Sequence, residues 1–262
     1  MRRAQAFVGS MRALMSQPIV AGAGVVIAAT AAGTAVCAGK SYSTKDTVVG
    51  ETRFLKLISR DWVDHNGVAR KWDLVQRAGT PGVVSVFPIL HSKSFAEGDE
   101  ETLLTCQFKP PCGYALEFPA AIVDAGESIE QCALRTVENE TGYTGKVRLK
   151  SAPMASSAGL TDEKVSLVIV DVNLDDYTSA DTSVTKKVGK KRRGIKKTVK
   201  VPGQSWIPDQ NLTDDQSIVL HRIKIKDMKQ EIAQAQSEGI TPWVGLQALA
   251  LGLDICGHLA DE

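Results

Sequence analysis

The period of the apolar positions changes along the chain. From Thr52 to Arg77 the runs RFLKLISRDWVD and RKWDLVQR alternate, which predicts strands. Asn66-Gly67 between them predicts a hairpin turn. Val83–His91, VVSVFPILH, is continuously apolar and reads as a buried strand, with Thr102–Phe108 as its partner across the polar loop SKSFAEGDEE. Ser128 opens a helix, because Ser128 and Gln131 have capping-box spacing. Ile129, Cys132, Ala133 and Val137 form its apolar face, and Gly142 stops it. Val165–Val172 is a β-branched strand, and Asp175–Pro208 is polar, basic and turn-rich, with the look of an insertion at about 176–208. Ile218–Ile225 reads as a strand and Asp227–Glu238 as a helix. Thr241-Pro242 reads as an N-cap and first-turn proline opening a last helix to about Leu259. Strands interleaved with a few helices indicate an α+β fold with a mixed sheet.

The start of the chain has a different pattern. No charge occurs from Ala13 to Gly39, and Ile19–Ala38 is mostly Ala, Gly, Val and Ile. At about 1.5 Å per residue that run is long enough to span a bilayer as an apolar helix. Its Ala and Gly content makes a weak span, and Gly24, Ala28 and Ala32 at four-residue spacing allow close helix approach. Residues 1–45 therefore read as a targeting segment, a single transmembrane anchor, or both. The acid-free start MRRAQAFVGSMRALMSQ favours a mitochondrial route with inner-membrane association. Secretory and cytoplasmic destinations are the alternatives.

Charge sharpens the division. The 262 residues hold 31 Lys and Arg against 30 Asp and Glu, yet nine basic residues fall in Lys186–Lys200. Without them 22 basic face 30 acidic residues, so the remainder is acidic. The basic run offers a contact for an acidic protein, RNA or anionic lipid. No aromatic residue interrupts it, which counts against base stacking. The five cysteines (Cys37, Cys106, Cys112, Cys132 and Cys256) show no CxxC spacing and read as buried free thiols.

The chemistry is concentrated in Glu117–Tyr143, EFPAAIVDAGESIEQCALRTVENETGY. This stretch resembles the Nudix box: a Gly, five residues, a Glu, seven residues, then Arg-Glu-apolar-x-Glu-Glu-x-Gly-bulky. Glu127, Arg135, Val137, Glu140, Gly142 and Tyr143 match it, while Ala121, Thr136 and Asn139 stand where the box has Gly, Glu and Glu. Gln107–Ala120 and Gly159–Glu163 are similar to the segments before and after the box in ADP-ribose and ADP-sugar pyrophosphatases. RKWDLVQR resembles their strand with an adenine-stacking Trp, here Trp72, followed by Arg77. RFLKL places Phe54 where many relatives have an aromatic residue. The resemblance covers Thr52–Asp175 and, more loosely, Ser217–Leu259.

That resemblance implies a Nudix fold, a mixed β-sheet sandwiched between helices, over residues 81–262. Before it lie a β-hairpin region over 46–80 and the N-terminal apolar helix. It implies Mg²⁺ as cofactor, with Glu140, Asn139, the Ala120 carbonyl and Glu127 as ligands. Hard cations need oxygen donors, and box carboxylates at i, i+3 and i+4 converge on one helix face. Here those positions hold Thr136, Asn139 and Glu140, so two negative charges are lost. The resemblance further implies a general base near Gln216, for which Asp214 or Asp215 is the candidate. Trp72, Arg77, Lys109 and Leu160 are the candidate substrate contacts. Glu127, Arg135 and Gly142 hold the box together.

The lost carboxylates favour an inactive or impaired Nudix-fold protein with a structural or binding role. In that reading it needs no cofactor and serves as an accessory subunit of a mitochondrial membrane complex. The alternative is an active Mg²⁺-dependent pyrophosphatase releasing AMP and a sugar phosphate. A third reading keeps nucleotide-sugar binding without hydrolysis. Family likeness adds a homodimer formed through the region before the box.

Overall fold

A computed structural model describes residues 41–177, 208–214 and 216–260. The apolar run 13–39, the basic run Lys186–Lys200, Cys37 and Asp215 lie outside the described residues. The described residues divide into two units, one of 41–78, 159–161 and 252–260 and the other of 79–158, 162–177, 208–214 and 216–251.

The first unit holds a three-stranded antiparallel sheet, β1 (Tyr42–Glu51), β2 (Leu55–Val63) and β3 (Ala69–Arg77), in that order. The predicted hairpin joins β2 to β3, with Gly67 at φ 79°. Asp64 organises the turn. Its carboxylate accepts from the N–H groups of Asn66 and Val68 and pairs with Arg70 at 2.6 Å. Those bonds, the one from Val68 first, hold its pKa at about 2. β1 was not anticipated, since YSTKDTVVGE lacks clean alternation. All ten of its residues are exposed, and its register against β2 slips twice. Residues 159–161 run beside β3, where the Leu160 carbonyl accepts from Val75 N–H at 2.8 Å.

The second unit is a nine-stranded mixed sheet. Its main path runs β12 (Thr241–Pro242), β6 (Gly113–Glu117), β5 (Glu101–Lys109), β4 (Val83–His91), β10 (Lys164–Asn173) and β8 (Lys146–Lys150). β7 (Ala120–Ile122) joins β4, β9 (Met154–Ala155) joins β10, and β11 (Ile218–Lys224) joins β5. Helix α1 (Ile129–Thr141) packs on one face through Cys132, Ala133 and Val137, against Val84, Val86, Val168 and Val170. Helices α2 (Met228–Ser237) and α3 (Val244–Ala260) contribute Met228, Ile232, Leu246 and Ala250 to a second core with Leu104, Leu116 and Phe118. A sheet between helices is the expected arrangement. Each fully buried Val or Leu in these cores contributes roughly 1.5–3 kcal/mol.

The expected partnership of β4 with β5 is present and antiparallel, with Leu90 opposite Glu101 and the Thr102 hydroxyl donating to the Pro88 carbonyl at 2.7 Å. The longer pairings are of β4 in parallel with β10, over nine consecutive positions, and of β5 with β6 and β11. Two expectations need correction. Thr241-Pro242 does not open the last helix. It pairs in parallel with Ala115-Leu116, and the turn to α3 is made at Trp243, whose carbonyl accepts from Leu246 N–H at 3.0 Å. Among the cysteines, Cys106 and Cys132 are buried, while Cys112 and Cys256 are exposed. No described helix is long and apolar enough to cross a membrane.

Candidate active site

The box folds as a strand, a loop and α1. Ser128 and Gln131 form the predicted capping box: the Ser128 side chain accepts from Gln131 N–H, and the Gln131 side chain accepts from Ser128 N–H. The loop before the helix is fastened by Arg135. Its Nε donates to Glu127 Oε1 at 2.7 Å, and its Nη2 donates to Glu127 Oε2 at 2.7 Å and to the Ile122 carbonyl at 3.1 Å. Asp124 N–H also donates to Glu127. The Arg135 guanidinium, above all, pulls the Glu127 pKa down to about 2. Both Glu127 oxygens serve this pairing, so its geometry is that of a structural residue. Gly142 ends α1 in the left-handed region at φ 76°. A side chain there would lie 2.7 Å from the Asp209 carbonyl and Pro208.

The three positions that carry box carboxylates in the resembled enzymes diverge. Thr136 is buried, and its hydroxyl donates to the Cys132 carbonyl one turn back at 2.7 Å. Asn139 Oδ1 accepts from the Asn211 side chain at 3.1 Å, and the Asn139 carbonyl accepts from Asn211 N–H at 2.7 Å. Glu140 retains its carboxylate, at only 8% exposure. Its Oε2 accepts from Ala120 N–H at 3.2 Å, so the backbone of Ala120 does meet Glu140. Burial raises the Glu140 pKa to about 7, with Glu117 adding to the rise and Ala120 N–H and Lys109 opposing it. Lys109 and Glu117 are an ion pair on the β5–β6 hairpin. Lys109 was an expected substrate contact, whereas Glu117 was missed. Only the strand register brings it to Lys109, by setting Glu117 opposite Thr105 on the neighbouring strand.

Residues 208–214 cover the end of α1. Besides the Asn211 contacts, the Gln210 side chain donates to the Glu140 carbonyl at 2.5 Å. Gln216 Oε1 accepts from Thr213 N–H at 3.0 Å, which closes the loop carrying the exposed Asp214. Trp72, Arg77 and Leu160 belong to the first unit, and Lys109, Glu117 and Glu140 to the second. Within the first, Trp72 Nε1 donates to the Gly159 carbonyl at 3.2 Å, so Trp72 and Leu160 are brought close, both substantially exposed. Phe54 is exposed with the Arg53 guanidinium 5.0 Å from its ring.

Among the described residues no three His, Cys, Asp or Glu side chains converge as a metal cluster. The oxygen donors near the C-terminal end of α1 are the Glu140 carboxylate, which meets Ala120 through the Ala120 N–H, and the neutral Asn139 Oδ1, with the Ala120 carbonyl as the third candidate. That set fits one weakly held hard cation.

Residues 91–176 match the family model for the NUDIX domain. The chain is similar to the ADP-sugar pyrophosphatase of Mus musculus, 36% identical over 143 residues, which covers 53% of this chain and 64% of that protein. It is similar to the ADP-ribose pyrophosphatase of Saccharomyces cerevisiae, 40% identical over 114 residues, covering 42% of this chain and 49% of that protein. The chain thus spans 49% to 64% of the length of these relatives. A solved structure described as an ADP compounds hydrolase aligns at 13% identity with a TM-score of 0.49, over 82% of this chain and 94% of that one. The matched box, its spacing and the mixed sheet between helices agree: residues 91–176 carry a NUDIX domain match, and about half of the chain is similar to ADP-sugar and ADP-ribose pyrophosphatases.

Proposed function

We propose that this protein hydrolyses the diphosphate of ADP-ribose or an ADP-sugar to AMP and a sugar phosphate, slowly and at high Mg²⁺ demand. The observation that carries this reading is Glu140, a carboxylate kept at the last metal-facing box position and held against the Ala120 backbone beside Lys109 and Glu117. The names of the mouse and yeast relatives support the substrate class. In this reading water adds to one phosphorus, the bridging P–O bond breaks, and the water's proton passes to Asp214 or Asp215. A divalent cation, when bound, neutralises charge on the diphosphate and its leaving group. Glu140, Asn139 and the Ala120 carbonyl would hold it, while Lys109 offsets charge near Glu140. Trp72, Arg77 and Leu160 are the proposed contacts for the nucleotide.

The test is AMP release from ADP-ribose by the full-length protein over a Mg²⁺ titration. Turnover that needs millimolar Mg²⁺ and disappears in Glu140→Gln supports the proposal. No AMP above background at saturating Mg²⁺ rejects it.

The second reading, binding or structural service without turnover, is favoured by the hydrogen bonds that occupy Thr136 and Asn139. Quenching of Trp72 fluorescence by ADP-ribose, lost in Trp72→Ala, would separate a nucleotide sensor from a purely structural subunit. Mitochondrial inner-membrane association and a place in a larger complex belong to this reading. They rest on the uncharged run 13–39 and the basic run Lys186–Lys200. Comigration of uncleaved protein with a membrane complex on a native gel would support them, and exclusive recovery in a soluble fraction would reject them.

A further inference from the structure

Both oxygens of Asn139 accept from one residue. Its carbonyl takes the Asn211 N–H at 2.7 Å, and its Oδ1 takes Asn211 Nδ2 at 3.1 Å. The two bonds do different work. Asn139 lies in the last turn of α1, where the final carbonyls lack partners within the helix. Asn211 N–H satisfies one of them, and the Gln210 side chain satisfies a second at the Glu140 carbonyl. Pro208 and the Asp209 carbonyl occupy the space that a Cβ on Gly142 would need. At the far end Gln216 N–H donates to the Thr213 carbonyl at 3.0 Å and closes the segment. Backbone and Gln210 donors thus fasten residues 208–214 to α1 whatever side chain stands at 211. The Asn211 side chain is additional, and it meets a box position where an amide replaces a carboxylate.

That replacement creates a need. A carboxylate offers a cation an oxygen in either orientation. An asparagine offers Oδ1 in one and an NH2 group in the other, and the NH2 group repels a cation. Nδ2 of Asn211 is a donor, so it selects the orientation in which Asn139 turns its oxygen to it. An amide oxygen accepts twice, which leaves Oδ1 a second lone pair. The other box oxygens are engaged: the Thr136 hydroxyl donates to the Cys132 carbonyl, and both Glu127 oxygens accept from Arg135. A cation on this helix therefore depends on Glu140 and on the orientation of Asn139.

We propose that Asn211 is a positioning residue for the divalent cation, acting through Asn139 by holding its amide with the oxygen as the ligand atom. This inference rests on the cation site of the proposed function. It makes residues 208–214 part of that site and gives the amide at 139 a compensating partner.

The test is Mn²⁺ binding to the full-length protein, read from the electron paramagnetic resonance signal of the free ion. Asn211→Ala and Asn211→Asp should each weaken binding about tenfold or more, the usual cost of losing a group that orients a metal ligand. The aspartate adds a negative charge, which alone would tighten binding. It also draws the Asn139 NH2 group to the place Oδ1 holds. In an Asn139→Asp background both ends of the side chain are oxygen, so Asn211→Ala should then change little. Unchanged or tighter binding in Asn211→Asp overturns the inference. An equal loss from Asn211→Ala in the Asn139→Asp background also overturns it, because Asn211 would then act on the fold and not on the amide. So does a wild-type chain that binds no Mn²⁺ at millimolar concentration. The expected pattern in a chain that releases no AMP from ADP-ribose supports the inference and rejects the hydrolytic reading alone.

Discussion

At the scale of single residues the site holds two carboxylates whose environments push them in opposite directions. Glu140 is buried, and its pKa rises to about 7. Folding therefore favours its neutral form, a contribution complete below the unfolded carboxyl value near 4.5 and lost as pH climbs to about 7. Glu140→Gln should narrow the loss of stability between pH 5 and pH 8, by up to about 3 kcal/mol. Urea unfolding at the two pH values measures it, and parallel curves for variant and wild type would contradict it. Glu127 has the reverse sign. Arg135 holds its pKa at about 2, so its contribution is present above pH 4.5 and lost as pH falls towards 2. Arg135→Ala should cost about 2 kcal/mol at neutral pH and flatten the acid limb of the stability profile. The Glu127–Arg135 pair was legible in the sequence because box spacing places both on one loop and helix. Glu117 and Asn211 were not, since their neighbours at the site arrive from other strands and loops, and no local pattern encodes that pairing.

At the scale of elements, α1 was readable end to end because its signals are local. Ser128 caps it, Cys132, Ala133 and Val137 face the core, and Gly142 stops it. Ser128→Ala should cost about 1 kcal/mol through the lost cap. Gly142→Ala should cost about 2 kcal/mol or more. It combines a left-handed backbone with a clash against Pro208 and the Asp209 carbonyl. Thermal unfolding of both variants gives the comparison, and Gly142→Ala should fall further than Ser128→Ala. It should also loosen residues 208–214, visible as faster amide exchange at Asn211, whose N–H is bonded to the Asn139 carbonyl. The elements that sequence missed share one physical cause. β1 is exposed at every position, so no buried face imposed alternation on it. Thr241-Pro242 has the local chemistry of a helix start, but pairing with Ala115-Leu116 overrides that preference. The β4–β10 pairing is parallel between distant segments, which adjacency in sequence could not suggest.

At the scale of the whole molecule, the three-stranded sheet of the first unit is unusual in what it leaves uncovered. Leu55, Leu57, Val48, Val49 and Trp72 are each at least 41% exposed, and only Ile58 and Leu74 of this sheet's apolar residues are buried. The register divides them between two faces, Leu55 and Leu57 on one and Val48 and Trp72 on the other, and exposed apolar side chains on a thin sheet mark an interaction surface. The proposed homodimer gives that surface a partner of the right chemistry, since a second copy presents the same apolar face in return. Leu55 and Leu57 share one side of β2, two residues apart. A Leu55→Glu/Leu57→Glu variant should therefore shift the protein from dimer to monomer. The substitutions fall on exposed positions, so far-ultraviolet circular dichroism should stay unchanged. Light scattering over a concentration series decides the matter. A wild-type chain that stays monomeric at the highest soluble concentration removes the dimer. A dimer that survives both substitutions assigns the interface to another surface. A monomeric variant that still releases AMP at the wild-type rate would show that the site on α1 works within one copy of the chain.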